Sequence, residues 1–183
     1  DSRSLWTATP SVRDLTRASG ATTTFTVTVT GPWGAPGVSD VATVTVTSQG
    51  DDSIMDSATL TTTTATLYAL SVEPLTASNS QHPGRWVTYQ LTVTNDGNVS
   101  DGFDIETSSS WVTLVNPVGP LSLDVGDSVN VLVMVRVPVG LPAGTMSDQY
   151  VSFTSQGDEN VMETVTLTTV ALSPLLYLPT ILR

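Results

Sequence analysis

The 183-residue chain lacks cysteine and lysine, and it carries few positive charges. Without cysteine it can form no disulfide and offers neither a thiol nucleophile nor a thiolate ligand for zinc. Without lysine it can form no Schiff base and no Lys–Asn crosslink between strands. The 6 basic residues, all arginine, stand against 17 acidic ones and give a formal net charge of −11. This charge argues against nucleic acid or an anionic membrane as a partner, because both attract basic surfaces.

Long apolar runs and helical periodicity are also lacking. No apolar segment reaches the roughly 20 residues of a membrane-spanning helix, so we expect no membrane insertion. Apolar and polar residues alternate instead: in residues 87–94, one face carries Val87, Tyr89, Leu91 and Val93. A period of two predicts a strand with one buried face and one solvated face.

Threonine and turn residues complete this pattern. The chain contains 31 threonines, whose β-branched side chains favour strands and whose hydroxyl groups tolerate water. Alternation recurs in residues 24–30 and 161–167, and Gly, Pro, Asn and Asp form turn signals between such segments, as at residues 95–98 and 142–144. The sequence therefore predicts an all-β fold made of tandem immunoglobulin-like antiparallel β-sandwiches.

The sequence repeats itself at an offset of about 105–108 residues. The tetrapeptide Ser-Gln-Gly-Asp at residues 48–51 recurs at residues 155–158, Trp6 matches Trp111, and Gly20 matches Gly126. We predict a first unit over residues 1–68, a second over residues 69–170, and a C-terminal tail over residues 171–183.

The first unit is predicted to be incomplete. Some 40 residues of the second unit precede Trp111, whereas only five residues precede Trp6. Two or three strands are missing, and exposing the apolar residues that they would cover costs on the order of 10–20 kcal/mol, more than the ~5–15 kcal/mol by which a domain is stable. Three explanations stay open: a longer natural protein, residues that exist but are not observed, or strands donated by another chain. The uncovered residues are Phe25, Val27, Val29, Val44, Val46, Ile54 and Leu60.

The tail is too short and too interrupted by proline for a membrane helix, and too apolar for a solvated linker. Its opening Ala-Leu-Ser repeats residues 69–71, so it is a candidate donor strand for a head-to-tail filament; a disordered end or a sorting signal is the alternative. A strand that is apolar on both faces adds a candidate contact surface. The predicted assembly interface comprises Phe25, Val27, Val29, Leu132, Met134, Leu175, Leu176, Tyr177, Leu178, Ile181 and Leu182.

The run Tyr-Gln-Leu-Thr-Val-Thr-Asn-Asp-Gly-Asn at residues 89–98, followed by Trp111, by Gly-Asp-Ser at 126–128 and by Val-Arg-Val-Pro at 135–138, resembles the NEW3/CARDB-like group of bacterial extracellular Ig-like modules. The resemblance implies a seven-stranded sandwich, repeated in tandem in secreted proteases, glycosidases and surface proteins. The ending at residues 177–183 also resembles the Leu-Pro-rich tails of secreted proteins from filamentous thermophilic bacteria. These motifs are turn and core residues, so they indicate fold rather than function.

Candidate chemistry is sparse. His82 is the one histidine, it lies in a polar stretch, and the chain has no Gly-x-Ser-x-Gly motif; we therefore predict no enzyme, no catalytic residues and no cofactor. Asp51, Asp52, Asp158 and Glu159 occupy equivalent turns and, with a second acidic cluster at residues 96–104, are candidate calcium ligands. Ordinary hairpin turns use the same residue types, so both interpretations stay open.

Two features bear on carbohydrate. Asn98 begins an Asn-Val-Ser sequon on a predicted loop and is a glycosylation candidate. Trp33 lies in a predicted loop, where its ring would serve as a sugar platform, as an interface anchor or in packing against its own sandwich.

The combined prediction is a non-catalytic structural subunit of an extracellular fibre or cell-surface assembly. It would form a homo-oligomer or filament by β-strand complementation. The alternative is a C-terminal accessory or adhesive stalk domain of a larger secreted hydrolase, seen as a fragment.

Overall fold

The computed structural model describes residues 6–32 and 34–173. These residues form thirteen strands and no helix, which confirms the all-β prediction. Accordingly, this part of the chain holds no helix long and apolar enough to cross a membrane. The chain divides into two compact units, Asp1–Thr66 (unit 1) and Leu67–Arg183 (unit 2).

Unit 1 contains two antiparallel strand pairs. Strand β1 (Thr7–Pro10) pairs with β2 (Val27–Thr30), and β3 (Ser39–Thr47) pairs with β4 (Met55–Thr63). Strand β2 is shorter than the alternating segment at residues 24–30 because its partner β1 has only four residues.

Unit 2 is a sandwich of two sheets. The four-stranded sheet has the order β5-β7-β11-β9, and the five-stranded sheet has the order β10-β8-β12-β13-β6. In chain order the strands are β5 (Leu70–Glu73), β6 (Thr76–Gln81), β7 (Trp86–Asn95), β8 (Asp101–Ser109), β9 (Thr113–Asn116), β10 (Leu121–Leu123), β11 (Ser128–Arg136), β12 (Met146–Ser155) and β13 (Met162–Ala171).

The alternation within these strands forms the core of unit 2. The predicted inward set of β7 is buried, and the apolar sides of both sheets meet in one cluster. Among the described residues, every buried polar side-chain atom has a hydrogen-bond partner. The fully buried apolar side chains are Leu91, Val93, Phe103, Val131, Val133, Val135, Val137, Val151, Phe153, Val165 and Leu167.

The core also contains a chain of polar side chains. The Tyr89 hydroxyl donates to the Thr168 carbonyl oxygen at 2.8 Å and lies 2.8 Å from the Thr169 hydroxyl oxygen, which donates to Gln149. Burial raises the pKa of Tyr89 above its usual value of 10.0, because desolvation disfavours the phenolate.

Proline residues lie at four places where the chain changes sheets in unit 2, and two of these are the β5–β6 and β9–β10 connections. Pro74 lies between β5 and β6, which belong to opposite sheets, and Pro117 and Pro120 lie between β9 and β10. Proline has no N–H group and cannot continue a strand ladder. After its switch, β6 pairs with β13 in parallel, whereas the other described pairs are antiparallel as predicted.

The hairpins β3–β4 and β12–β13 superimpose in register at a constant offset of 107 residues. Val44 lies opposite Ala58, as Val151 lies opposite Val165. At the open ends, Gly37 N–H donates to the Thr64 carbonyl at 2.9 Å, and the equivalent bond in unit 2 measures 2.8 Å. Strands β1 to β4 therefore correspond to β9, β11, β12 and β13.

The described residues of unit 1 contain no counterparts of β5, β6, β7, β8 and β10. Two of these have inner positions in unit 2: β7 pairs with β11, and β8 pairs with β12. Strand β10 pairs with β8, so residues 11–26 of unit 1 lack the partner on which their own β10-like strand would form.

Candidate functional site

The apolar side of unit 1 lacks full cover. No residue in its described ranges, 6–32 and 34–66, is buried. The clearest contrast is between equivalent positions of two hairpins: Val46 in β3 is 52% exposed, whereas Phe153 in β12 is 0% exposed. Phe25, Val27 and Val29, which the sequence assigned to an assembly interface, are partly buried.

Phe25 and Val46 border a groove of about 710 Å³ within unit 1, whereas Val27 and Val29 do not line it. The groove lies between the β1–β2 region and the β3–β4 hairpin, and polar side chains from the loop after β1 and from the hairpin turn line it as well. Its lining includes Val44 and Val46 on the side of β3 that corresponds to the side of β12 covered by a second sheet in unit 2. The apolar lining includes Phe25, Val44, Val46, Ile54 and Met55.

Open strand edges flank the groove. Among the described residues, β2 pairs with β1 only, whereas its counterpart β11 pairs with both β7 and β9. Within the same residues, β3 pairs with β4 only, whereas its counterpart β12 pairs with both β8 and β13. Unpaired backbone N–H and C=O groups along such edges are a template for an added strand. We refer to this combination of groove and edges as the acceptor face.

Leu132 and Met134, the other predicted interface residues in the described range, lie on the outer face of the four-stranded sheet of unit 2. Both are partly buried, and Met134 pairs in register with Leu114 of the neighbouring strand. Leu114 and Trp86 are exposed large apolar residues of this sheet. Neither residue belongs to the predicted interface, although Trp86 alternates in phase with the outward residues of β7.

The predicted tail begins one residue too early. Ala171 is the last residue of β13 and is buried in the unit 2 core, and its N–H group donates to the Thr145 carbonyl at 2.8 Å. Leu172 N–H then donates to the Gln81 carbonyl at 2.9 Å. The predicted donor residues Leu175, Leu176, Tyr177, Leu178, Ile181 and Leu182 lie outside the described residues, as does Trp33.

His82 lies in the turn between β6 and β7. Its Nδ1 atom is 2.6 Å from the Ser173 carbonyl oxygen, so Nδ1 carries the proton and donates it. The histidine thereby holds the chain where it leaves β13, beside the backbone bond from Leu172 to Gln81.

The paired calcium candidates close their own turns. The Asp51 carboxylate accepts hydrogen bonds from the Ser53 hydroxyl at 2.6 Å and the Ser53 N–H at 3.0 Å. The Asp158 carboxylate accepts from the Asn160 N–H at 3.0 Å and its side-chain amide at 2.8 Å. These bonds lower the pKa of both carboxyl groups below 3.8. Asp52 and Glu159 are exposed beside them, and the described residues hold no cluster of three metal-ligating acids or histidines.

The second acidic cluster binds a hairpin turn. Asp101 is buried and accepts hydrogen bonds from the Ser155 hydroxyl at 2.5 Å and the Gly157 N–H at 3.1 Å. Asp104 accepts from the Gln156 side-chain amide at 2.9 Å. These carboxylates thus attach the β12–β13 turn to β8. The repeated Ser-Gln-Gly tripeptide was the sequence signal for this contact, but its partner strand was not identifiable from the repeat.

The glycosylation candidate Asn98 is buried in the turn after β7. Asn98 is 6% exposed, and its side-chain oxygen accepts a hydrogen bond from the Leu67 N–H at 2.8 Å. The Asn98 N–H donates back to the Leu67 carbonyl at 2.9 Å. The side chain therefore ties the first residues of unit 2 to the turn after β7, which also explains why the unit begins at Leu67 rather than at Ala69.

Comparisons with known proteins give weak similarities. No protein-family model matches the sequence, and a search of curated proteins finds no match. Among solved structures, a family 123 glycoside hydrolase from Clostridium perfringens has a TM-score of 0.48 at 9% identity, covering 58% of this chain and 28% of that chain. The E. coli chaperone DraB has a TM-score of 0.42 at 18% identity, covering 58% and 56%. Domains 4 and 5 of the S-layer protein SbsC have a TM-score of 0.37 at 18% identity, covering 80% and 62%.

Proposed function

We propose that this chain is a non-catalytic structural subunit of an extracellular fibre or cell-surface assembly, and that subunits associate by β-strand complementation at the acceptor face. The observation that carries the proposal is the contrast between equivalent residues: Val46 is exposed in unit 1, whereas Phe153 is fully buried in unit 2. An added strand would pair with an open edge and fill the groove at once.

The groove gives this association a driving force. Burying an apolar side chain contributes about 1.5–3 kcal/mol. Four apolar side chains of the groove, Phe25, Val44, Val46 and Ile54, are only partly covered, and Met55 is not counted because its counterpart Met162 is 56% exposed in unit 2. Completing the burial of these four side chains is therefore worth on the order of 5 kcal/mol before the cost of association. Backbone hydrogen bonds along β2 or β3 would add orientation, because they fix the register of the incoming strand.

The tail from a second copy is the proposed donor. Residues 174–183 are rich in leucine, and an extended apolar segment matches the apolar part of the groove lining. Leu172 and Ser173 leave unit 2 held by Gln81 and His82, so the residues that follow start from a fixed point. The extracellular location rests on the resemblance to NEW3/CARDB-like modules and is part of the proposal.

The test is the association state of the full 183-residue chain over a concentration series, measured by analytical ultracentrifugation and electron microscopy. We expect oligomers or filaments that dissociate when residues 175–183 are removed. A full-length chain that stays at 19.2 kDa at high concentration contradicts the proposal and favours the accessory domain of a secreted hydrolase.

A matched pair of substitutions locates the contact. Val46→Asp places a charge in the groove and should weaken association at least about tenfold, since an unpaired buried charge is costly. Val41→Asp is the control, because Val41 is 58% exposed on the opposite face of the same strand. Equal effects of the two substitutions would show that the groove is not the contact.

A further inference from the structure

The tripeptide Ser-Gln-Gly has the same turn in both units. Ser155 N–H donates to the Val161 carbonyl at 3.0 Å, and Ser48 N–H donates to the Ile54 carbonyl at 2.9 Å. The glycine N–H donates to the serine hydroxyl oxygen in both turns, at 3.2 Å in unit 2 and 3.3 Å in unit 1. The turn of unit 1 is therefore already shaped like that of unit 2.

In unit 2 this turn binds β8 through every residue of the tripeptide. Ser155 and Gly157 donate to the Asp101 carboxylate, as described above. Gln156 N–H donates to the Gly102 carbonyl at 2.8 Å, and the Gln156 side chain donates to Asp104. Four hydrogen bonds, three of them to carboxylates, thus recognise one short segment of β8; bonds to ionised acceptors are the stronger kind.

The β8 side of this contact has a defined pattern. Gly102 lies beneath the Gln156 side chain, where an added Cβ atom would come within van der Waals distance of its amide, so a larger residue does not fit without displacing Gln156. Phe103 between Gly102 and Asp104 is fully buried. The segment that the turn recognises is therefore Asp-Gly-apolar-Asp.

In unit 1 the same tripeptide faces no described β8-like strand. The Gln49 side-chain amide donates instead to Asp14 at 3.2 Å. An added Cβ atom at Gly50 would meet only the Ser48 hydroxyl, at 4.0 Å, whereas the Tyr68 ring lies against Gly157 in unit 2. The binding groups of the turn are in place, and the space beside them is open.

We propose that Ser48, Gln49 and Gly50 form a docking site for a partner β-strand of sequence Asp-Gly-apolar-Asp, which runs antiparallel to β3. The inference rests on the proposed function in one respect, that unit 1 is completed from outside itself. In unit 2, Ser155 pairs with Phe103 and Phe153 pairs with Ile105. In unit 1 the apolar residue of the partner motif therefore lies opposite Ser48, and the residue two places further lies opposite Val46.

The partner strand is distinct from the C-terminal tail. Residues 174–183 contain neither aspartate nor glycine, so the tail does not carry this motif. The pattern Asp-Gly-apolar-Asp occurs once in this chain, in β8 itself, where Phe103 belongs to the unit 2 core. Moving β8 from unit 2 to unit 1 would expose as much apolar surface in unit 2 as it would cover in unit 1, so the exchange would bring no net gain in burial. The docking site therefore takes a segment with the same motif from a partner.

The test uses a synthetic peptide with the sequence of residues 84–110, added to the ¹⁵N-labelled full chain. We expect amide shifts at Gly50 and Asp51 of unit 1, and none at Gly157 of unit 2, whose site is filled. Asp101→Ala with Asp104→Ala in the peptide, or Ser48→Ala in the protein, should weaken binding about tenfold or more. The control peptide carries Glu106→Ala, which removes an exposed charge from the same strand.

Crosslinking fixes the register independently. The chain has no cysteine, so Val46→Cys in the protein and Ile105→Cys in the peptide provide a unique pair. Opposed positions on antiparallel strands are close enough for a disulfide. We expect this pair to crosslink several-fold faster than Val46→Cys with a peptide carrying Glu106→Cys.

The outcomes separate this inference from the proposed function. If the chain stays monomeric but binds the peptide at Gly50, the docking site is supported and the proposal of self-assembly is rejected. A chain that assembles but neither binds nor crosslinks the peptide overturns the docking site and leaves self-assembly standing. Equal binding of the control peptide and of the peptide lacking both aspartates also overturns it, because the motif then plays no part.

Discussion

The hairpin β3–β4 of unit 1 and the hairpin β12–β13 of unit 2 share their register, their turn and the bonds at their open ends. They differ in what lies against them. The inward residues of β12 contact a second sheet and are buried, whereas Val46 of β3 is largely exposed. The comparison teaches that the form of a hairpin is set by its own residues, while burial is set by strands from elsewhere in the fold.

The largest difference between the hairpins is expected in amide hydrogen exchange. Val151 and Leu167 lie in a fully buried core, so their segments should exchange through global unfolding of unit 2. In the variant lacking residues 175–183, we expect the segments around Val44 and Leu60 to exchange on the order of 1000-fold faster, as a stability gap of about 4 kcal/mol implies. Similar protection in both hairpins of that variant would remove the contrast.

The second-largest difference is expected between alanine substitutions at the equivalent positions 46 and 153. Phe153→Ala leaves a cavity in the unit 2 core and should lower the free energy of unfolding of that unit by about 3–5 kcal/mol. Val46→Ala removes methyl groups that are half exposed, so unit 1 should lose less than about 1 kcal/mol. Urea denaturation followed by NMR signals assigned to each unit measures both values. A cost for Val46→Ala that approaches that for Phe153→Ala would show that Val46 is covered.

The serine of the repeated tripeptide provides a finer comparison. Ser155→Ala removes a hydrogen bond to a buried carboxylate and should destabilise unit 2 by about 1–3 kcal/mol. Ser48→Ala in the unassembled chain should change the stability of unit 1 by less than about 0.5 kcal/mol, because among the described residues no carboxylate accepts a hydrogen bond from the Ser48 hydroxyl. Thermal unfolding of the two variants tests this. A loss for Ser48→Ala as large as that for Ser155→Ala would indicate a partner already in place.

The smallest expected effect is one that the units share. The pKa values of Asp51 and Asp158 are lowered by hydrogen bonds from Ser53 and Asn160. Because each pKa is lower in the folded state than in the unfolded state, the ionised carboxylates stabilise the fold fully at pH values above the unfolded-state pKa. This stabilisation is lost as the pH falls through the folded-state pKa. NMR titration of the two carboxyl carbons should give midpoints below 3.8 in both units. A midpoint at or above 3.8 for either residue would contradict the hydrogen bonding described here.

The sequence predicted the β-fold and the inward residues of the strands well. Alternation in β7 and β11 identified buried positions such as Leu91 and Val133, because a strand has a fixed period of two. The repeat also identified equivalent turns, since Ser-Gln-Gly-Asp forms the same local hydrogen bonds at both places. These are properties of a few neighbouring residues.

Other features depended on distant partners and were not predictable. Asn98 reads as a turn residue, but Leu67, which is 31 positions away, binds its side chain and buries it. Asp101 reads as a calcium candidate, but it binds Ser155, 54 positions away. The parallel pairing of β6 with β13 likewise requires that the chain change sheets at Pro74.

By itself, the sequence determined which residues form strands and turns and which side of each strand is apolar, because backbone propensity and side-chain alternation act over a few residues. The tertiary structure alone decided which apolar sides are covered and which carboxylates are used in turns or between strands. Burial and long-range hydrogen bonds need a second segment in the right place, and that segment is present for β12 but not, among the described residues of unit 1, for β3.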